Sequence, residues 1–327
     1  MRTTRGTIRS TLSALAITVL TSGLASGLTG ALTASPAQAH APAKTRIVAH
    51  FDLAAGQLPE NIVLEPDGTA DVTFAAARQV ASVSTDGRTR ILATMPLPAD
   101  GGKRTPVLKF ALTTGIARAH DGTLYFLYAS GSPELTGLWR LTPGGAPNRI
   151  AALPADGLPN GLALDEPTGR LYISDSVLGE IFTVPVAGGR PAVWSAAPAL
   201  GSTGFLGVNG LKLHGGAVWV SNLDRGTLLR IPFRAGHRAG TPQVRATGLA
   251  GIDDFAFTGH GDQVLATRDP QNTVVRIEAN GTWTTVLTAA DGLQNPTSVA
   301  VRADTAYVPS AAYSTKKDPN LLLARVS

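Results

Sequence analysis

From about residue 45 onward, apolar residues alternate with small or polar ones in short runs, and each run ends at a turn rich in Gly, Asp or Pro. Alternation with period two predicts β-strands, because successive side chains point to opposite faces of an extended backbone. One unit recurs. It opens on a polar residue and a small or apolar one, continues as an alternating strand, turns at Gly, returns as a second strand and ends in weaker strands. The first strands open at Glu60-Asn61-Ile62-Val63-Leu64, Thr114-Gly115-Ile116-Ala117-Arg118 and Asn160-Gly161-Leu162-Ala163-Leu164. They continue at Asn209-Gly210-Leu211-Lys212-Leu213, Asp253-Asp254-Phe255-Ala256-Phe257 and Thr297-Ser298-Val299-Ala300-Val301. Successive starts lie 54, 46, 49, 44 and 44 residues apart. Second strands are predicted over residues 124–127, 171–174, 217–221, 263–267 and 306–309, with hairpin turns such as Asp121-Gly122 and Gly215-Gly216.

Roughly four short strands per unit, repeated six times, predict an all-β chain folded as a six-bladed β-propeller. A β-sandwich or a solenoid is the rival arrangement. The last unit lacks an outer strand, since the chain ends after residues 321–326. Residues 46–51 can supply it. Arg46-Ile47-Val48-Ala49 before Leu58-Pro59-Glu60 parallels Arg149-Ile150-Ala151-Ala152 before Leu158-Pro159-Asn160. The N-terminal strand is therefore expected to pair with the last blade, closing the ring and hiding a sheet edge.

The residues ahead of that strand read differently. Arg2, Arg5 and Arg9 precede an apolar stretch over residues 12–20, a run rich in Ser, Thr and Gly, and Ala37-Gln38-Ala39. A basic start, a short apolar middle and small residues at a cut describe a secretory signal peptide, here residues 1–39. No Arg-Arg pair occurs in it, so the general secretory route is expected. Residues 40–327 are then one propeller domain, secreted and with no membrane attachment after cleavage, since no other run nears the ~18 apolar residues of a spanning helix.

Composition narrows the chemistry. Hydrophobic residues make up 43% of the 327, enough for a large core. Gly (36) and Pro (22) exceed their usual combined share of about 12%, which favours many turns. Cysteine is absent, which excludes disulfide scaffolds, Cys-ligated zinc, iron–sulfur clusters and thiol nucleophiles. The formal net charge of +5 falls once the three leader arginines are removed. No basic block with interleaved aromatics follows, so nucleic acid is not an expected partner. A small-molecule substrate and a monomeric state are.

In a propeller the innermost strands run along the central channel, so their equivalent starts form a ring. Here the ring reads Glu60, Thr114, Asn160, Asn209, Asp253 and Thr297. All six side chains carry oxygen and none is cationic. Two carboxylates with neutral oxygens suit a hard divalent cation. Ca²⁺, which accepts six to eight oxygens in flexible geometry, is favoured over Mg²⁺ or Mn²⁺. Each of these residues is also an ordinary turn former; their recurrence at one repeat position is what points to a metal.

With Pro59-Glu60, Pro159-Asn160-Gly161-Leu162, Val208-Asn209-Gly210-Leu211 and Ile252-Asp253-Asp254-Phe255-Ala256 on a six-bladed repeat, the chain resembles the gluconolactonase/senescence-marker-protein (regucalcin) family. Diisopropylfluorophosphatase is a more distant relative of that shape. The resemblance spans nearly all of the chain after residue 40, through short motifs. It implies one catalytic Ca²⁺ held by Glu60, Asn160, Asn209 and Asp253. Asn61-Ile62 after the Glu and Asp254 after the Asp depart from the usual family text.

The expected activity is that of a Ca²⁺-dependent hydrolase of lactone-like or related ester substrates, the metal acting as a Lewis acid. Asp253 is the expected base or nucleophile, with Asp254 as second candidate, and Thr114 and Thr297 complete the ring on the substrate side. The alternative is a non-catalytic propeller that binds a ligand or a protein, with a structural or vestigial metal site. His120, His214 and His260 are predicted in hairpin turns at the opposite mouth, away from this chemistry. No G-x-S-x-G elbow, dinucleotide fingerprint or P-loop occurs after the leader. Specificity is expected in the loops over residues 96–113, 130–137, 198–208 and 310–320. Lys103, Arg104, Lys316 and Lys317 are candidate anion contacts there, as are Arg78, Arg225 and Arg268 at second-strand ends.

Overall fold

The structure is a computed structural model that describes residues 44–326. The signal-peptide reading of residues 1–39 lies outside the described residues. Among those described, no helix is long and apolar enough to cross a membrane.

The described residues form six antiparallel sheets. Blade 1 comprises Pro59–Leu64, Ala70–Phe74, Gln79–Val83 and Thr89–Thr94. Blade 2 comprises Leu112–Arg118, Leu124–Ala129, Gly137–Leu141 and Asn148–Ala152. Pro159–Asp165, Arg170–Asp175, Glu180–Pro185 and Ala192–Ser195 form blade 3. Blade 4 begins with Val208–His214, Ala217–Asn222 and Thr227–Arg234; this third strand pairs with both Arg238–Ala239 and Gln243–Ala246, a split outer edge that the repeat pattern does not predict. Blade 5 holds Ile252–Phe257, Val264–Arg268, Thr273–Ile277 and Trp283–Leu287. Blade 6 holds Ala300–Arg302, Thr305–Ser310 and Asn320–Arg325. Its fourth strand is Thr45–His50, paired from Thr45 with Ala324 to His50 with Asn320. Each innermost strand touches the next, and the last touches the first, so the ring closes as a six-bladed β-propeller.

The core lies between blades, where two alternating sheet faces meet. Between blades 2 and 3, Leu127 and Leu138 pack with Leu171, Ile173 and Val184, all fully buried. Between blades 6 and 1, Phe51 meets Phe74 edge-on at 4.8 Å and Val72 packs beside Tyr307 and Leu321. Phe51 follows the closing strand directly, so ring closure and core filling are one event.

Each innermost strand carries one extra residue at the ring position. Asp253 and Asp254 lie between the pairs Ile252/Arg268 and Phe255/Ala266, opposite Thr267 alone. The same irregularity falls at Glu60, Thr114-Gly115, Asn160-Gly161 and Asn209-Gly210. In blade 6, three residues starting at Thr297 face two. A β-bulge re-aims the side chains it contains, and six at one level turn the strand starts toward the axis. Gly follows the ring residue in blades 2, 3 and 4. At Gly115 and Gly161 a Cβ would come within 2.3 and 2.4 Å of the next blade's carbonyl oxygen, on Asn160 and Asn209.

Hydroxyls stitch adjacent blades at this level. Thr73 Oγ1 donates to the Thr114 carbonyl at 2.6 Å, Ser174 Oγ to that of Asn209, and Ser221 Oγ to that of Asp253 at 2.5 Å. Thr267 Oγ1 donates to the Thr297 carbonyl at 3.1 Å. In blade 2 the facing residue is Leu127, and the donor is the ring residue itself, Thr114, to the Pro159 carbonyl at 2.8 Å. Thr297 does the same from blade 6 to Pro59.

Candidate functional site

The structure separates the six ring residues by function. Thr114 and Thr297 are buried, and their hydroxyl protons go to the carbonyls of the next blade, so these side chains hold the ring together. Glu60, Asn160, Asn209 and Asp253 have no such duty. Asn209 is 2% exposed and its Oδ1 has no hydrogen-bond partner. A buried amide oxygen without a donor is costly, and it is the group a cation would satisfy.

Glu60, Asp253 and Asn209 lie within electrostatic reach of one another. Burial pushes the Glu60 carboxyl up to about 7; Tyr313 Oη, donating to Glu60 Oε2 at 2.5 Å, opposes the rise, and Asp269 and Asp254 add to it. Asp253 is raised well above the usual carboxylate range by burial, then by Glu60, Asp269 and Asp254, with a hydrogen bond from Asn209 opposing. Asp269 is pushed to about 7 by burial, and its Oδ1 also lacks a hydrogen-bond partner. Three acidic side chains are thus desolvated together and destabilise one another's ionised forms.

Asp254, expected as the second candidate base, sits elsewhere. The bulge sends it away from Asp253 into a buried network, where Lys212 Nζ contacts its two oxygens at 2.7 and 2.8 Å. Asn61 Nδ2 donates to Asp254 Oδ2 at 3.1 Å and Ser298 Oγ at 2.7 Å. Asn61, Asp254 and Ser298 occupy the place that Gly takes in blades 2, 3 and 4. The two departures from the family text are therefore partners, and with Lys212 they leave Asp254 saturated with donors.

Sequence reasoning missed Asp269 and Tyr313. Asp269 directly follows the second strand of blade 5, and Tyr313 lies in the loop over residues 310–320, chosen for its lysines. Neither belongs to a repeated position, so no periodic signal marks them. The arginines among the candidate anion contacts are used otherwise. Arg78 donates to the carbonyls of Ala76 and Met95, Arg225 to Gly201 and Arg268 to Ala250, and Arg104 pairs with Asp100. Lys103, Lys316 and Lys317 are exposed. His120 and His260 lie in hairpin turns; His214 instead ends the first strand of blade 4, stacked on Phe257 at 3.9 Å.

The donor set fits a hard cation in kind. It has two carboxylates and two carboxamides, one amide oxygen is orphaned, and among the described residues no Lys or Arg bonds to Glu60 or Asp253. Among the described residues no group of three or more His, Cys, Asp or Glu side chains forms a metal-binding cluster, so any such site depends on the carboxamides.

No family model and no curated protein sequence matches the chain. Solved structures do. Regucalcin from Agrobacterium tumefaciens, a calcium-binding protein, is 18% identical with a TM-score of 0.63 over 87% of this chain and 94% of its own. Virginiamycin B lyase from Staphylococcus aureus is 15% identical with a TM-score of 0.57, over 87% and 99%. The PQQ-bound aldose sugar dehydrogenase from Streptomyces coelicolor is 17% identical with a TM-score of 0.59, over 86% and 99%. Identities this low establish the propeller fold, and a fold shared by such different proteins leaves function to the site.

Proposed function

We propose that the chain is a metal-dependent hydrolase of lactone-like or related ester substrates, with Ca²⁺ held by Glu60, Asn160, Asn209 and Asp253. The observation that carries this reading is the repulsion between part-buried Glu60 and buried Asp253, beside the orphaned Oδ1 of Asn209. Such a set is unfavourable alone and becomes favourable around a divalent cation. The calcium-binding regucalcin among the structural neighbours supports the choice of metal.

Bound there, Ca²⁺ supplies Lewis-acid polarisation of the ester carbonyl. Asp253 accepts a proton from water as the water oxygen adds to the carbonyl carbon. In this reading Asp269, whose carboxyl is raised by burial, returns a proton to the departing alkoxide oxygen. The ester C–O bond breaks, one water is consumed, and an acid and an alcohol result. Tyr313 orients Glu60 through its hydroxyl. Asp254 keeps the bulge in place.

The substrate is a small molecule and the working form a monomer. Residues 1–39 act as a secretory signal, so the mature chain begins near His40 outside the cytoplasm; N-terminal sequencing of the exported protein tests this. For the activity, chelator-treated protein is assayed on lactones and aryl esters with and without Ca²⁺. The expected result is turnover that requires Ca²⁺ and is abolished in Asp253→Asn. No turnover on any substrate overturns the hydrolase reading and leaves a binding module.

A further inference from the structure

An apolar cluster lies at the same end of the propeller as the carboxylates, joined to them by Tyr313. The loops that enter each innermost strand, and those that join second to third strands, lie at the same end of the propeller, because antiparallel strands alternate direction. At this end Leu58, Leu112, Leu158 and Leu206, from the entries to four consecutive innermost strands, form one buried cluster. Half-buried Leu108, Phe110 and Val177 pack against it. Tyr313 belongs to both environments, since its ring packs on this cluster and its hydroxyl bonds to Glu60 at 2.5 Å.

The exposed apolar side chains follow the same geography. Leu97 (55% exposed), Val107 (40%), Leu178 (37%) and Phe205 (46%) all lie in loops at this end. The other large exposed apolar residues, Ile91, Val193 and Val244, are in outer strands of blades 1, 3 and 4. Water-facing Leu and Phe at the same end as the polar ring disfavour a polyhydroxylated ligand, which would forfeit its hydrogen bonds to solvent against them. They favour a ligand with a polar head for the ring and a hydrocarbon chain for the rim.

We infer that the substrate of this site is an amphiphile, a lactone or ester bearing an alkyl or acyl chain, whose carbonyl reaches the Glu60–Asp253 ring while its chain lies against Leu178 and Phe205. This inference rests on the hydrolase reading for the reaction, and on the Tyr313 junction for the ligand class.

The test uses the full chain with Ca²⁺ and a series of γ-lactones with lengthening alkyl chains, with gluconolactone as the polar comparator. Binding of the matching non-hydrolysable lactams is measured in parallel. The expected kcat/KM rises by up to about fourfold for each methylene that becomes buried. Phe205→Ser and Leu178→Ser should each lower kcat/KM several-fold on the longest chains, and the loss should shrink as the chain shortens. Turnover that is flat along the series, or highest on gluconolactone, overturns the amphiphile and keeps the hydrolase. Lactam binding that tightens with chain length, without turnover of any lactone, supports the amphiphile and overturns the hydrolase. Absence of both overturns both. Binding to phosphatidylcholine vesicles with no chain-length dependence also overturns the amphiphile, in favour of a surface that docks on lipid.

Discussion

Thr297 Oγ1 donates a 2.8 Å hydrogen bond to the carbonyl of Pro59, joining residues 238 apart in the chain. It is the last link of a circle of six hydroxyl-to-carbonyl bonds that runs from blade to blade at the level of the ring. The donor sits on the second strand in four blades and on the ring residue in two. Hydroxyl-to-carbonyl bonds and the Asp254 network join the blades at this level without using the side chains of Glu60, Asn160, Asn209 or Asp253.

Replacing Thr297 by Val keeps the shape and removes the donor, leaving a buried Pro59 carbonyl unsatisfied. Stability should fall by about 1–3 kcal/mol, and Thr297→Ser should recover most of it. Urea denaturation measures both. Thr114→Val should behave alike through Pro159.

Lys212→Met strips Asp254 of the one ionic partner it has among the described residues, while the carboxylate is 2% exposed in the natural chain. A loss of about 3–5 kcal/mol is expected, as for other buried ion pairs broken on one side. The double variant Lys212→Met/Asp254→Asn should be more stable than Lys212→Met. Equal stability of Lys212→Met and the natural chain would contradict a buried pair.

Calcium added to chelator-treated protein should raise the melting temperature, with a stabilisation of about 2.7 kcal/mol at a hundredfold excess over Kd. Asn209→Ala and Glu60→Gln should each remove that response, and Thr114→Val should keep it. Glu60→Gln should also stabilise the metal-free chain, because it deletes one of the acids that raise the Asp253 carboxyl.

A second buried acid gives a pH prediction away from the ring. The Asp71 carboxyl is pushed from 3.8 to about 7 by burial and by Glu65, against the opposing charge of Arg118. Between those values the folded chain holds a proton that the unfolded chain has lost. Stability contributed at Asp71 should therefore decline as pH rises from about 4 to about 7 and stay reduced above that. Asp71→Asn should raise the melting temperature near pH 8, by about 2–4 °C per kcal/mol relieved, and change it little near pH 4. Differential scanning calorimetry at the two pH values checks the sign.

What the sequence by itself determined is what repetition encodes. Period-two alternation specifies strands, six recurrences specify six blades, and the likeness of residues 46–49 to 149–152 specifies the closing strand. The same recurrence marks Glu60, Asn160, Asn209 and Asp253, because equivalent positions of equivalent strands must share one level of the ring. The tertiary structure decided which oxygens are free. Thr114 and Thr297 match the ring in type, yet their hydroxyls bind the next blade, and this follows from Leu127 and Pro309 replacing a hydroxyl-bearing residue on the facing strand. Asp253 and Asp254 are adjacent in the chain, and the bulge between them gives one to the ring and the other to Lys212. Asp269 and Tyr313 come from positions used once, and Tyr313 meets Glu60 from 253 residues away. A periodic signal reports the environment that a strand shares with its copies; side chains brought in by unrepeated loops are set by packing across the whole ring.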